Sequence, residues 1–159
     1  MEEALAEARR AELIGEVPVG AVVVSPTGEI LARGHNRRQI DSDPTAHAEL
    51  LAIREAAKRL GDWRLEGCTV YVTLEPCPMC AGAIIHSRVD RVVFGAFDKR
   101  TGAAGSAFEI LGNSKLNHRP SVVGGIEATE CGELLKAFFR KRRGKLDDAI
   151  RGKFHEVVS

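Results

Sequence analysis

The sequence has no long hydrophobic run and few cysteines. No stretch approaches the ~20 consecutive apolar residues that a membrane-spanning helix needs. The charged start, MEEALAEARR, does not resemble a signal peptide, so we expect a cytoplasmic protein with no membrane partner. In such a reducing compartment, a close pair among the four cysteines is more often metal-binding or redox-active than a structural disulfide.

The sequence also lacks an excess of charge of one sign, internal repeats, low-complexity segments and interdomain linkers. The formal net charge is +1 at pH 7, so any surface that binds nucleic acid must be local. A chain of 159 residues is long enough for one compact domain with its own apolar core, and too short for two ordinary domains.

Apolar runs alternate with helical patterns along the chain. Short apolar runs predict five strands, at 20–25, 29–34, 68–75, 91–97 and 121–126. Apolar residues at helical spacing predict four helices: one that ends before Pro18, one over 46–61, one over 78–87, and one that carries Leu134, Leu135, Phe138 and Phe139. The segment 98–120 is glycine-rich and mostly irregular. This order predicts an α/β protein with a helix-covered sheet and right-handed crossovers.

Two cysteines lie where a predicted strand ends and a helix begins, in the stretch LEPCPMC. In α/β sheets, sites gather beyond the carboxyl ends of the strands. Cys77 and Cys80 share a face of the first helical turn, where the positive end of the helix dipole favours the thiolate that binds metal. Pro76 and Pro78 restrict the backbone on both sides of Cys77.

A third ligand stands upstream, in TAHAE. His47 with Cys77 and Cys80 makes three protein ligands, and three ligands with one open position are typical of a catalytic zinc rather than a structural one. Glu49 lies two residues after His47, a spacing that does not place both on one helix face. Glu49 is therefore free to carry protons beside the metal, provided that its side chain turns into the cleft.

Together, HAE and PCPMC resemble the signature of the zinc-dependent nucleoside and nucleobase deaminases. The segments EVPVGAVVV, GHNRR, HAELLAIREAA, YVTLEPCPMCAGAIIHSRVDRVVFGAFDKRTGAAGS and NHR extend the resemblance to the tRNA-specific adenosine deaminases. This resemblance covers roughly residues 1–143 and leaves 144–159 as a tail, either a short helix through Leu146, Ile150 and Phe154 or loose. It implies a three-layer α/β/α cytidine deaminase-like fold with a central mixed five-stranded sheet, one Zn2+ per subunit and a homodimer.

The activity implied by the resemblance is hydrolytic deamination of adenosine to inosine at the wobble position of a tRNA anticodon. Zinc would lower the pKa of a bound water toward about 7, so that Glu49 can take its proton while the oxygen attacks C6 of the purine. Glu49 would then deliver protons to N1 and to the leaving amino group. The target base must be splayed out of its stack to reach the metal.

The resemblance also implies the substrate contacts. Asn36, with the backbone of Ala48 beside it, would hydrogen-bond the flipped nucleoside, and Asp98 would hold that nucleotide or its neighbour. Phe97 is expected to tune which neighbouring base is accepted. The surrounding loop contacts would come from Lys99, Arg100, Asn117 and His118.

One local basic cluster, FFRKRRGK, stands near the end of the chain. Its cations would contact RNA phosphates and make binding salt-dependent; they are Arg140, Lys141, Arg142 and Arg143. The alternative is that these residues are solvated and complement the dipole of a helix C-terminus.

Two other functions stay open. A deaminase of guanine, cytosine or a nucleotide would keep the zinc site but would not use the basic cluster. A non-catalytic RNA-binding or structural zinc protein would not require Glu49 beside an open metal position. Activity on free bases above that on RNA favours the first, and a fourth protein ligand at the metal favours the second.

Overall fold

The computed structural model describes the backbone of residues 1–158 and the side chains of residues 1–146. The predicted alternation of strands and helices is confirmed. The elements are α1 (Glu2–Leu13), β1 (Gly20–Val24), β2 (Ile30–His35), α2 (Ala48–Leu60), β3 (Thr69–Leu74), α3 (Pro78–His86), β4 (Arg91–Ala96), β5 (Ser121–Val123) and α4 (Ala128–Val158). β5 is shorter than predicted because Gly124 and Gly125 follow it, and Gly125 has a positive φ of 86°.

The five strands form one mixed sheet in the order β2-β1-β3-β4-β5. β1 is antiparallel to both β2 and β3, whereas β3, β4 and β5 are parallel. β4 is buried from Val92 to Ala96, as expected for a parallel strand with helices on both faces. The predicted α/β fold with a central mixed five-stranded sheet is therefore confirmed. One edge of this sheet collects the carboxyl ends of β2, β3 and β4.

Two glycines let helices approach opposite faces of the β1–β2 hairpin. A Cβ on Gly20 would lie 2.1 Å from the carbonyl oxygen of Ala4 in α1, and a Cβ on Gly34 would lie 2.4 Å from that of Ala48 in α2. Gly34 pairs with Ala21, the neighbour of Gly20, so the two glycines face opposite sides of the sheet. This close approach sets the height of the first turn of α2 above the sheet.

The last helix is longer than predicted. α4 runs from Ala128 to Val158, so the predicted tail continues it over the described backbone. An ion pair between Arg9 and Glu130, and another between Lys141 and Glu12, join α4 to α1. Leu146 is 61% exposed, and the side chains of the other two residues of the predicted apolar face, Ile150 and Phe154, lie outside the described residues. None of the described helices has the length and apolar character that crossing a membrane requires.

Replacement of Gly34 by alanine is expected to lower the free energy of unfolding by about 1–3 kcal/mol, because the added methyl group would meet helix backbone rather than a flexible side chain. Urea titration followed by circular dichroism measures this. Gly144→Ala is the control: a Cβ there meets no atom within 4 Å, and the exchange of glycine for alanine in a helix is expected to stabilise by up to ~1 kcal/mol. Equal unfolding midpoints for Gly34→Ala and the unchanged chain would contradict the packing argument.

Candidate active site

The carboxyl ends of three strands border a cleft of about 650 Å³. Asn36 follows β2, Cys77 lies shortly after β3, and Phe97 and Asp98 follow β4. α4 forms another wall, with Leu135, Lys136 and Phe139 among its contributions. The other polar and charged residues that line the cleft are Arg38, His47, Glu49, Glu75, Arg100 and Thr101.

The donor atoms of the three predicted metal ligands converge: His47 and Cys77 line the cleft, and Cys80 is fully buried. Nδ1 of His47 lies 3.6 Å from Sγ of Cys77 and 3.5 Å from Sγ of Cys80. A tetrahedral zinc ion, with zinc–sulfur bonds of about 2.3 Å and zinc–nitrogen bonds of about 2.0 Å, separates such atoms by about 3.5 Å. Among the described residues, the cluster contains no fourth His, Cys, Asp or Glu. The donor set therefore fits one zinc ion with an open coordination position, which argues against a closed structural site.

Two helix N-termini hold these ligands. His47 is the N-cap of α2, with an extended backbone (φ −79°, ψ 150°), and Cys77 is the N-cap of α3, with Pro78 at the first helical position. The positive dipole ends of both helices therefore point toward the donor atoms and favour negative charge there.

The pKa values of the two cysteine thiols are shifted in opposite directions. A hydrogen bond from the Cys80 thiol, supplemented by one from His47, lowers the pKa of Cys77 to about 4. The same hydrogen bond and burial raise the pKa of Cys80, so its thiol remains protonated at neutral pH. Binding of a divalent metal would displace that proton, since thiolates are the metal-binding form.

Glu49 meets the condition set by the sequence analysis, because its side chain lines the cleft beside His47 and Cys77. It lies in the first turn of α2 and is 3% exposed. Burial raises the pKa of its carboxyl to about 7. A carboxyl group that titrates near neutral pH can both accept and release a proton under physiological conditions.

Asn36 presents an unpaired acceptor. The side chain is 6% exposed, and its Nδ2 donates to Oε2 of Glu16 at 3.3 Å. Within the part of the chain whose side chains are described, Oδ1 of Asn36 is the buried side-chain polar atom with no hydrogen-bond partner. Buried polar atoms are nearly always paired, so this oxygen is suited to accept a hydrogen bond from a bound molecule. Ala48, beside it in the cleft, is fully buried.

The carboxylate of Asp98 organises its own loop. Oδ1 accepts from the backbone N–H groups of Arg100 and Thr101, and Oδ2 accepts from the Thr101 hydroxyl at 2.6 Å. Asp98 still lines the cleft, together with Arg100, whereas Lys99 is exposed on the same turn.

Glu75 was missed by the sequence analysis. It is 2% exposed and accepts from the backbone N–H groups of Asp98, Ala104 and Ser106. It therefore anchors the loop after β4 to the end of β3, next to Cys77. An acidic residue at the end of an apolar strand was the available signal.

The remaining predicted contacts lie away from the metal. Asn117 accepts from Arg88 at 3.4 Å and His118 bonds the carbonyl oxygen of Val89 at 2.6 Å. Neither is among the described residues that line the cleft. Their assignment to the substrate stays a prediction.

The basic cluster lies within α4 and not at its end. Lys141 and Arg142 line a second cleft of about 370 Å³ between α1 and α4, while Arg140 and Arg143 are exposed. The alternative interpretation is wrong in placing these cations at a helix C-terminus, because the described helix continues to Val158. Its other part, that the four side chains are solvated, agrees with their exposure.

A helix-covered mixed sheet with a His–Cys–Cys centre, an open metal position and a buried glutamate defines a zinc-dependent deaminase. Residues 1–96 match the protein family described as the cytidine and deoxycytidylate deaminase zinc-binding region. The tRNA-specific adenosine deaminase of Bacillus subtilis (strain 168) is 56% identical over 145 residues, which cover 91% of this chain and 89% of that relative. This chain belongs to the tRNA-specific adenosine deaminase family.

Solved structures of deaminases are also similar to this chain. A structure from a study of A-to-I editing by tRNA:A34 deaminases at the wobble position of transfer RNA matches with a TM-score of 0.82 and 45% identity, covering 85% of this chain and 97% of that one. A guanine deaminase from Bacillus subtilis matches with a TM-score of 0.59 and 40% identity, covering 69% of this chain and 68% of its own. The zinc-deaminase architecture is thus shared by enzymes with different substrates.

Proposed function

We propose that this protein hydrolyses adenosine to inosine at the wobble position of a tRNA anticodon. The observation that carries the proposal is that the zinc-binding triad and Glu49 border a cleft whose wall also holds exposed aromatic and cationic side chains. The triad and Glu49 supply the chemistry, and the wall supplies the means to hold a nucleotide within a larger chain. Membership of the tRNA-specific adenosine deaminase family supports the same substrate.

In the reaction, water replaces the amino group at C6 of adenosine and ammonia leaves. His47, Cys77 and Cys80 would hold the zinc ion, which when bound would act as a Lewis acid and make a water molecule acidic near neutral pH. The Glu49 carboxylate takes one proton from the water while the water oxygen bonds to C6. Glu49 then passes that proton to N1 of the ring. Glu49 then moves the second water proton to the amino nitrogen, so that the C6–N bond breaks and ammonia departs.

The cleft wall favours RNA over a free base. Phe97 is 59% exposed and Phe139 is 42% exposed, and both line the cleft. Unstacked bases of RNA loops bind by stacking on such aromatic faces. Arg38, Arg100 and Lys136 add positive charge to the same lining, which a phosphate backbone requires and an uncharged base does not.

The second candidate is deamination of a free base such as guanine. The match to a guanine deaminase from Bacillus subtilis favours it, because the two chains share the fold and much of the sequence. The zinc-binding triad serves either reaction, so the substrate must be decided by assay.

The decisive assay compares an anticodon stem-loop that carries adenosine at the wobble position with free adenosine, adenine, guanine and cytosine. We expect inosine in the RNA and little ammonia from the small molecules. The same stem-loop with guanosine at the wobble position is the matched control and should remain unchanged. Ammonia from guanine with the RNA untouched would move the protein to the free-base deaminases.

Glu49→Gln is expected to keep zinc and to lower turnover by about 10²- to 10⁴-fold, the usual contribution of a positioned proton carrier. Cys77→Ala should lose both zinc and activity. Cys131→Ala, which removes a buried thiol outside the triad, should keep both. Metal analysis and single-turnover kinetics measure the two properties separately. Wild-type turnover in Glu49→Gln would remove Glu49 from the proposed chemistry.

We propose further that the enzyme acts in the cytoplasm, where free thiols persist, and as a homodimer. Three large apolar side chains support the dimer, because they are 38–53% exposed in the single chain: Met79, Ile40 and Phe108.

Light scattering should give a mass of about twice the 17.2 kDa of one chain at micromolar concentration. A dilution series separates a stable dimer from a weak one. A mass of one chain throughout the series would contradict the homodimer, and would leave the deamination assay unaffected.

A further inference from the structure

Glu16 is a buried acid for which the proposed chemistry has no use. It lies between α1 and β1 and is 2% exposed. Its Oε1 accepts from the backbone N–H groups of Gln39 at 2.7 Å and Ile40 at 2.8 Å, and its Oε2 accepts from Nδ2 of Asn36 at 3.3 Å. Glu16 therefore ties the loop after β2 to the chain that precedes β1.

This contact determines which way the Asn36 amide points. The oxygen and nitrogen of an amide have nearly the same shape, so packing alone does not distinguish the two orientations. Both carboxylate oxygens of Glu16 act as acceptors in the structure. Nδ2 of Asn36 must therefore face Glu16, and Oδ1 must face away, where it is buried without a partner among the described side chains beside the cleft.

We infer that Glu16 is a positioning residue that makes the cleft present a hydrogen-bond acceptor, Oδ1 of Asn36, to a donor on the bound nucleoside. The inference rests on the proposed function to the extent that the cleft binds a nucleoside. It goes beyond that function because Glu16, which need not touch the substrate, would determine whether Asn36 offers the substrate an acceptor or a donor.

Glu16→Gln tests the inference with almost no change of shape. Two backbone donors, those of Gln39 and Ile40, hold the oxygen of the substituted side chain, so its new amide nitrogen must face Asn36. Two amide nitrogens then oppose each other, and the Asn36 amide rotates to turn its nitrogen toward the cleft. A substrate donor would meet a donor, and we expect KM for the RNA to rise about 10- to 100-fold, as for a buried polar group left unpaired.

A second substitution should restore the acceptor. In the double variant Glu16→Gln/Asn36→Asp, the amide nitrogen introduced at position 16 donates to one carboxylate oxygen at position 36, and the other carboxylate oxygen accepts from the nucleoside. The two substitutions exchange which position is ionised, so the total charge of the pair is unchanged. We expect KM within about threefold of the unchanged enzyme, whereas Asn36→Asp alone, with two carboxylates opposed, should remain impaired.

The readouts separate positioning from a purely structural role. The same variants can be made in a Glu49→Gln background, where turnover is nearly absent. The dissociation constants for the stem-loop, measured by fluorescence anisotropy, should then rank the variants in the same order as KM does. Zinc content should be unchanged in all variants. Rescue of KM by the double variant supports the inference. An unchanged KM in Glu16→Gln overturns it. It is also overturned if the rise in KM of the double variant equals the combined rises of the two single variants.

Failure of the proposed function can be distinguished from failure of this inference. If the unchanged enzyme deaminates a free base and not the RNA, the proposed function fails, and the unchanged enzyme and the three variants are compared on that base. The rescue pattern then decides the inference alone. If the unchanged enzyme deaminates RNA and the pattern is absent, the function stands and the role of Glu16 is rejected.

Discussion

The site depends on the convergence of two helix N-termini at one edge of the sheet. α2 and α3 each begin with a metal ligand as the N-cap, and the N–S distances of 3.5 and 3.6 Å leave space for one tetrahedral ion. Because β3 and β4 are parallel, α3 and the loop after β4 both begin at this edge. The antiparallel β1–β2 hairpin returns the chain to the same edge, where α2 begins. A shift of either helix by an ångström would open the triad, so the close packing of Ala48 over Gly34 bears directly on the chemistry.

Three buried glutamates surround the site, and their hydrogen-bond partners distinguish their roles. Glu75 accepts from three backbone N–H groups, and Glu16 accepts from two with one side-chain amide. These hydrogen bonds fix the loops that carry the donors. Glu49 faces the cysteine thiols instead, and burial raises its pKa to about 7. The same residue type therefore serves as an anchor in two places and is suited to proton transfer in the third.

Local patterns were sufficient to predict the metal centre and the order of the elements. Cys77 and Cys80 are joined by one helical turn, and His47 starts an amphipathic helix, so spacing and periodicity carry that information. Glu16 and Glu75 bind backbone groups more than twenty residues away in sequence, and no periodicity encodes such pairs. The resemblance also suggested Asn117 and His118 as substrate contacts, which stays a prediction; in the structure they bond Arg88 and the carbonyl oxygen of Val89, each 29 residues away. The length of α4 was not predicted because the basic run 140–143 and Gly144 interrupt its apolar pattern before Leu146.

Two polar requirements of the cleft are left unmet by the described protein groups: the open position of the metal centre and Oδ1 of Asn36. Over the rest of residues 1–146, the buried side-chain polar atoms are paired, as folding requires. Unmet requirements reduce stability, and they persist in native proteins mainly where a ligand meets them. A substrate of the proposed reaction must bring its electrophilic carbon beside the water that would occupy the open metal position, while it places a hydrogen-bond donor at Asn36. Because the N-termini of α2 and α3 fix the metal centre and the loop after β2 fixes Asn36, the cleft selects for a substrate's shape as well as its reactive group.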